Sequence, residues 1–219
     1  MSFFNRIWEG FVERSNNTGT IVAIFGPTGS GKTYIRDVFV QNGWEKIISH
    51  TTRKLRDESE SGEYIKTDLD TFFNLMNAER LVNTNSYLGQ WYGVDTLAAT
   101  KDGKSLEEVD KGVLITDKSS VLTVKKELAE MGKKVIVVYV TGDPKALEAI
   151  QKERLRAGEY KEADAFLKRI KQLEKEFESE LKQKAPSLAD IIIHNKFNEE
   201  TGIEAAEWAQ KLGQEVFQK

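Results

Sequence analysis

Apolar residues along this chain fall into short unbroken runs separated by stretches of helical period. Thr20-Ile21-Val22-Ala23-Ile24-Phe25 is such a run. Its length and lack of alternation predict a strand covered on both faces. A glycine-rich turn follows, then a helix over residues 32–40 and a second short strand over 44–49. Residues 112–116 predict a strand, 118–131 a helix, and 134–140 the clearest buried strand of the chain. Pro144 opens the next helix, to about 154, since proline suits a first helical position. A long charged helix is predicted over 163–184, stopping before Pro186, then a strand over 189–193 and a helix over 199–217. Strands alternating with helices predict an α/β fold, a parallel sheet with helices on both faces.

Two segments break this rhythm. Residues 50–92 are polar, with dense charged turns and scattered aromatics. They predict a small, mostly β subdomain with one helix near 68–77. Residues 1–19 carry Phe4, Ile7, Trp8 and Phe11 at helical spacing and end in a polar run. That pattern predicts an amphipathic helix, packed on the body or serving as a docking element for a protein partner or a second copy. Too few basic residues accompany it to favour a membrane surface.

Composition narrows the picture only a little. The 219 residues suffice for one domain with a substantial core. A net charge of −3 argues against a nucleic-acid-binding face. The chain has no cysteine, which excludes disulfides and thiolate chemistry. No apolar run reaches the length of a membrane span and no secretory signal is evident, so the cytoplasm is the expected location.

The turn after the first strand carries the chemistry. Gly26-Pro27-Thr28-Gly29-Ser30-Gly31-Lys32-Thr33 fits the phosphate-binding pattern G-x-x-x-x-G-K-[ST] in full, between a strand and a helix. Glycines let backbone N–H groups converge on phosphate oxygens, and the helix N-terminus adds its positive end. Lys32 supplies a charge for the outer phosphates of ATP, and Thr33 a ligand for Mg²⁺.

A second group follows. Ser49-His50-Thr51-Thr52-Arg53-Lys54-Leu55-Arg56 precedes Ser61-Gly62-Glu63-Tyr64, and later comes Gly89-Gln90-Trp91-Tyr92-Gly93. With the phosphate loop in front, these segments resemble the guanylate kinase family, from about Thr20 to the final helix. The resemblance implies a P-loop core formed by residues 20–49 and 95–219, an acceptor-binding subdomain at about 50–94 and a lid at about 154–168. It implies that Arg53, Arg56, Tyr64 and Tyr92 hold the acceptor's phosphate. Such a clamp makes chemical sense: arginines grip a dianion in bidentate fashion and tyrosine hydroxyls donate further bonds. The resemblance also places Arg154 and Arg169, with Arg156 between them, at the lid over the transferring phosphoryl group. It sets Asn195 near the adenine, and Ser49 and Asp117 beside the acceptor base.

At three positions the chain departs from the family. Asn83 stands where the family has a guanine-reading glutamate, and an amide pairs poorly with two guanine donors. Glu79 is the nearest other acid. Val94 replaces a serine or threonine that contacts guanine, and Ile115 replaces an acid of the Mg²⁺ shell. Losing such an outer carboxylate weakens metal binding roughly 10–100-fold.

The expected activity is ATP-dependent phosphorylation of a nucleoside monophosphate, with GMP or dGMP first in line. Kinases of another monophosphate or of ribosyl 1,5-bisphosphate share the pattern. A non-catalytic module that binds phosphorylated segments, or an ATP-dependent switch, is the alternative from another class. Such modules usually lose the loop lysine, whereas Lys32-Thr33 is intact.

Overall fold

The computed structural model describes residues 19–55, 62–87, 89–156 and 185–215. Helix predictions over 1–19, Gly19 apart, and over 163–184, and the lid beyond 156, fall outside the described residues.

Strand β1 (Thr20–Phe25) is buried at all six positions. It lies at the centre of a five-stranded sheet of order β2-β7-β1-β8-β9. The partners are β2 (Glu45–Lys46), β7 (Lys111–Ile115), β8 (Lys134–Gly142) and β9 (Ile191–Asn195). Every pairing is parallel. Alternate residues of β1 serve opposite faces. Val22 and Ile24 pack on α1 (Lys32–Gln41) and α5 (Glu199–Glu215), through Ile35, Phe39, Ala205 and Ala209. Ile21 and Ala23 pack toward α3 (Val121–Glu130), through Val124 and Leu128. Covering on both faces is why these strands read as continuous apolar runs. Helix α4 (Pro144–Arg156) begins at the predicted proline. Among the described residues, no helix is long and apolar enough to cross a membrane.

A second, four-stranded sheet has the order β4-β3-β6-β5. It contains β3 (Ser49–Thr51), β4 (Tyr64–Lys66), β5 (Leu81–Tyr87) and β6 (Gln90–Asp95), with α2 (Leu69–Asn77) beside it. Asp68 starts that helix by accepting from the Thr71 amide at 2.8 Å.

Two strand predictions are corrected. The single strand expected over 44–49 is divided: β2 edges the parallel sheet and β3 begins the second one. Ile47 and Ile48 are both buried where the chain passes between the sheets, so apolarity ran on without a single strand beneath it. The last strand starts at Ile191, not 189, because Asp190 closes the ladder first. Its amide donates to the Val137 carbonyl and its carboxylate accepts from the Val137 amide, both at 2.8 Å.

His50 links the second sheet to a pH effect. Thr67 Oγ1 donates to the Ile65 carbonyl at 3.2 Å, so its contact with His50 Nδ1 at 2.8 Å is one in which the imidazole N–H donates. Nε2 is then the bare nitrogen, buried without a hydrogen-bond partner among the described residues. Burial lowers the His50 pKa below its ordinary 6.5; Asp95 pulls it up and Arg80 pushes it down. The folded state therefore favours neutral His50, and an unfolded chain takes up the proton first as pH falls. His50 should favour the folded state above about pH 6.5, with that contribution lost as pH falls toward its folded pKa. Denaturant titrations between about pH 7.5 and 5.5 should show this slope, and His50→Gln should flatten it. An equal slope in both proteins would assign the effect to other groups.

Candidate active site

The Gly26–Thr33 loop leaves the C-terminal end of the central strand and enters α1. Its glycines are required by close approaches rather than by flexibility alone. Gly26 has φ +149°, and a Cβ there would lie 2.0 Å from the Val140 carbonyl oxygen. Gly31 has φ +88° and caps α1, where a Cβ would lie 2.3 Å from Asn195 Nδ2. No side chain caps this helix and no acid sits in its first turn. Its N-terminal amides and positive end suit an anion. Ser30 Oγ is fully buried in the loop without a hydrogen-bond partner among the described residues. Lys32 Nζ folds over the loop and donates to the carbonyls of Gly26 and Pro27, each at 2.8 Å.

These features fit a nucleotide polyphosphate. Thr33 lies at the start of α1 with an exposed side chain, so its hydroxyl is the group that would hold Mg²⁺. Among the described residues no cluster of three or more acidic or histidine side chains could hold a metal. An ion here would take its other ligands from phosphate and water, as Mg²⁺ commonly does. Ile115 packs against the apolar core, so the side chain at this position offers the ion nothing.

The second sheet gathers residues expected at the acceptor. Ser49 pairs with Tyr64, and Thr51 with Tyr92. Directly paired positions share a face, so Ser49, Tyr64 and Tyr92 lie on one side of the sheet. The Tyr64 and Tyr92 rings are 6.0 Å apart, edge to face. The Arg53 guanidinium stands 5.3 Å from the centre of the Tyr64 ring. Burial raises the Tyr64 pKa above 10.0, and so does neighbouring Tyr92, while Arg53 opposes them. Tyr64 therefore stays a phenol and keeps its O–H to donate. Arg56 and Arg169 lie outside the described residues. Arg154 and Arg156 belong to the last turn of α4.

Three residues expected at the bases are turned to internal use. Asn83, 3% exposed, accepts from Thr116 Oγ1 at 2.6 Å and donates to the Ile115 carbonyl at 3.3 Å. Its backbone sits at φ +53° beside a bulge in β5, a conformation asparagine tolerates. Both ends of its amide are thus engaged with the end of β7. Asp117 accepts from Ser119 Oγ and from the Ser119 amide at 2.8 Å. It also accepts from the Ser120 amide at 3.1 Å and Ser120 Oγ at 2.9 Å. Its carboxylate organises the turn into α3. Asn195 donates to the Ser30 carbonyl at 2.8 Å and accepts from the Phe197 amide at 2.7 Å. It braces the phosphate loop from behind, and at 3% exposure it has no open face for adenine. Val94 is fully buried against Leu114 and Ala23, so it faces core rather than base.

One group escaped the sequence reading. Arg36, 4% exposed, donates from Nη1 and Nη2 to the Glu63 carboxylate at 2.9 and 2.5 Å, and also to Asp37. Lys46 Nζ reaches the Gly62 carbonyl at 3.2 Å and Glu63 at 3.5 Å. The available signal was an arginine inside the apolar stripe Ile35, Val38, Phe39 of α1.

Comparison with known proteins follows the same lines. The family model described as Guanylate kinase matches residues 18–208. A guanylate kinase of Mycoplasma genitalium is 26% identical over 170 residues, a match covering 74% of this chain and 66% of that protein, just under two thirds of its length. The crystal structure of guanylate kinase from Anaplasma phagocytophilum superposes with a TM-score of 0.56 at 19% identity. That superposition covers 89% of this chain and 86% of the other, and establishes the shared fold.

Proposed function

Because the chain belongs to the guanylate kinase family, we propose that it transfers the γ-phosphoryl group of ATP to the phosphate of a nucleoside monophosphate. The products are ADP and the nucleoside diphosphate. An acceptor phosphate oxygen forms the new P–O bond as the bond from the γ-phosphorus to the β–γ bridging oxygen breaks. The relative named guanylate kinase makes GMP or dGMP the acceptor of first choice.

One observation carries this reading. Glu63, next to Tyr64 of the acceptor group, is bonded to Arg36, one helical turn beyond Lys32 of the phosphate loop. The helix that follows the polyphosphate cradle is therefore tied to the turn leading into an arginine–tyrosine group suited to a second phosphate. Such juxtaposition supplies much of phosphoryl-transfer catalysis, which depends on positioning and charge. Loop amides and Lys32 hold the donor phosphates. Arg53, Tyr64 and Tyr92 hold and orient the acceptor phosphate, with Arg56 as a further clamp. Arg154 and Arg169 are assigned to the lid over the transferring group. Thr33, with the phosphates, would hold Mg²⁺, which when bound would supply charge neutralisation at the departing oxygen.

A second reading rests on the engaged state of Asn83 and Asp117. With their side chains committed inside the protein, an acceptor read by its phosphates alone, such as ribosyl 1,5-bisphosphate, also suits the site. ADP release from Mg-ATP should be measured with each ribo- and deoxynucleoside monophosphate and with ribosyl 1,5-bisphosphate. Turnover with a monophosphate supports the first reading; turnover with the sugar bisphosphate alone replaces it with the second. Silence with all of them, with ATP bound, would leave a binding module.

Asn83 supplies a separate check on base reading. Asn83→Ala removes the acceptor of the buried Thr116 hydroxyl and should destabilise the fold by about 1–3 kcal/mol. The ranking of acceptors should stay as in the parent protein. A reordered ranking, read from kcat/KM values, would return Asn83 to the base site.

A further inference from the structure

We propose that Arg36 and Glu63 form a strut that couples the phosphate loop to the acceptor grip, making both positioning residues for the transfer. The inference rests on the reading of Gly26–Thr33 as the ATP site.

The strut begins on α1. Lys32 and Arg36 are four residues apart on that helix, so they lie on the same side, one turn apart. The Arg36 side chain is only 5% exposed, and desolvation is costly for a guanidinium. Burial works to lower its pKa, but Glu63 and Asp37 outweigh it, so the group stays charged. Burial likewise works to raise the Glu63 pKa, and Arg36 and Lys46 hold it below its ordinary 4.5. Both members are therefore ionised, and two parallel N–H···O bonds fix their relative orientation as well as their distance.

An apolar residue at position 36 would serve the stripe of Ile35, Val38 and Phe39 at lower desolvation cost. What the charged pair adds is geometry. Glu63 immediately precedes Tyr64, and Tyr64 starts β4 in register with Ser49. Lys46, on β2 of the parallel sheet, holds Gly62 and Glu63 from another side. The turn that delivers Tyr64 is thus pinned to α1 and to the core sheet, while Tyr64 itself belongs to the second sheet. Beyond it lie Arg53, stacked on the Tyr64 ring, and Tyr92. A change at the phosphate loop can pass along α1 and the Arg36–Glu63 pair to the acceptor residues. In the other direction, an acceptor held by Tyr64 is held at a set distance from Lys32. Displacement of reacting groups by about 1 Å can cost roughly a hundredfold in rate.

The test compares the full chain with Arg36→Met, Glu63→Gln and the double variant Arg36→Met/Glu63→Leu. Removing one partner takes the bidentate mate from the other, leaving Arg36 with Asp37 alone or Glu63 with Lys46 alone, so each single variant should lower both thermal stability and activity. Replacing both charges with apolar groups should return the melting temperature close to that of the parent. In the double variant the acceptor KM should still be raised about tenfold and kcat lowered about 10–100-fold. ATP affinity should change by less than about threefold, as expected if the loop itself is intact. Hydrogen exchange, read with and without Mg-ATP, gives a second readout that needs no turnover. In the parent protein Mg-ATP should slow exchange both in the phosphate loop and at residues 62–66. In the double variant only the loop should respond.

Normal kinetics in a stable double variant would overturn the proposal, and so would parent protein in which ATP protects the loop but leaves residues 62–66 unchanged. Failure of Mg-ATP to protect the loop itself would instead remove the ATP-site reading and the strut with it. Absence of turnover with every acceptor, with both exchange responses present, would sink the kinase reading and leave the strut standing.

Discussion

Replacing Lys32 with alanine should lower kcat by at least about a hundredfold to a thousandfold, the usual cost of deleting a donor aimed at developing charge. The structure locates the reason. Lys32 Nζ sits over the loop, 2.8 Å from the carbonyls of both Gly26 and Pro27, at the place where the outer phosphates of a bound polyphosphate would lie. No other residue of the G-x-x-x-x-G-K-T motif carries a positive side chain. The fold should tolerate the change, since Lys32 belongs to the half-exposed loop and not to the core. ADP release at saturating Mg-ATP, beside a melting curve, checks both halves of the expectation. A rate within tenfold of the parent would remove Lys32 from the reaction.

Gly26→Ala should be as damaging by a different route. The added Cβ would stand 2.0 Å from the Val140 carbonyl oxygen and 3.0 Å from its carbon. Val140 is a backbone position in β8, a strand bonded to β1 on one side and β9 on the other, so it cannot retreat cheaply. The residue also sits at φ +149°, which disfavours any Cβ. Overpacking and backbone strain together should cost about 2–5 kcal/mol. In a protein of this size that lowers the melting temperature by roughly 5–15 °C. Gly103→Ala is the informative comparison: φ there is +79°, but nothing lies within 4 Å of the added carbon. It should lose only the conformational term, about 1–2 kcal/mol. Equal losses at the two positions would mean that the clash at Gly26 is relieved by movement of the loop. Gly31→Ala falls between, because its clash is with the Asn195 side-chain amide, which can turn away at the cost of its bond to Ser30.

Base reading is where residue identity misled most. The family resemblance sets Asn83 where a glutamate reads guanine, which invites the idea that restoring the acid restores guanine recognition. In this fold a carboxylate at 83 would meet the Ile115 carbonyl, where the amide now donates, and would lie near Glu127, which accepts from the Asn83 backbone at 2.8 Å. Asparagine fits because it can offer a donor to one neighbour and an acceptor to the other. The local backbone, at φ +53°, suits it as well.

The sequence alone determined what depends on near neighbours in the chain. Runs such as residues 20–25 and 134–140 read as buried strands from their length and lack of alternation, because such runs need cover on both faces. The phosphate loop was legible because its glycines, lysine and threonine act through backbone geometry set within eight positions. The Asp117 turn was legible in principle too, since its partners, Ser119 and Ser120, are two and three residues away. Tertiary structure decided the rest. The side-chain partners of Asn83 lie 32 and 33 residues off, the Ser30 carbonyl that Asn195 braces lies 165 off, and Glu63 is 27 from Arg36. A polar side chain takes its role from the donor or acceptor that the fold brings within about 3 Å. No spacing along the chain carries that information. Helical spacing could show that an arginine stands in an apolar stripe, but only the folded chain supplies the carboxylate that keeps it charged there.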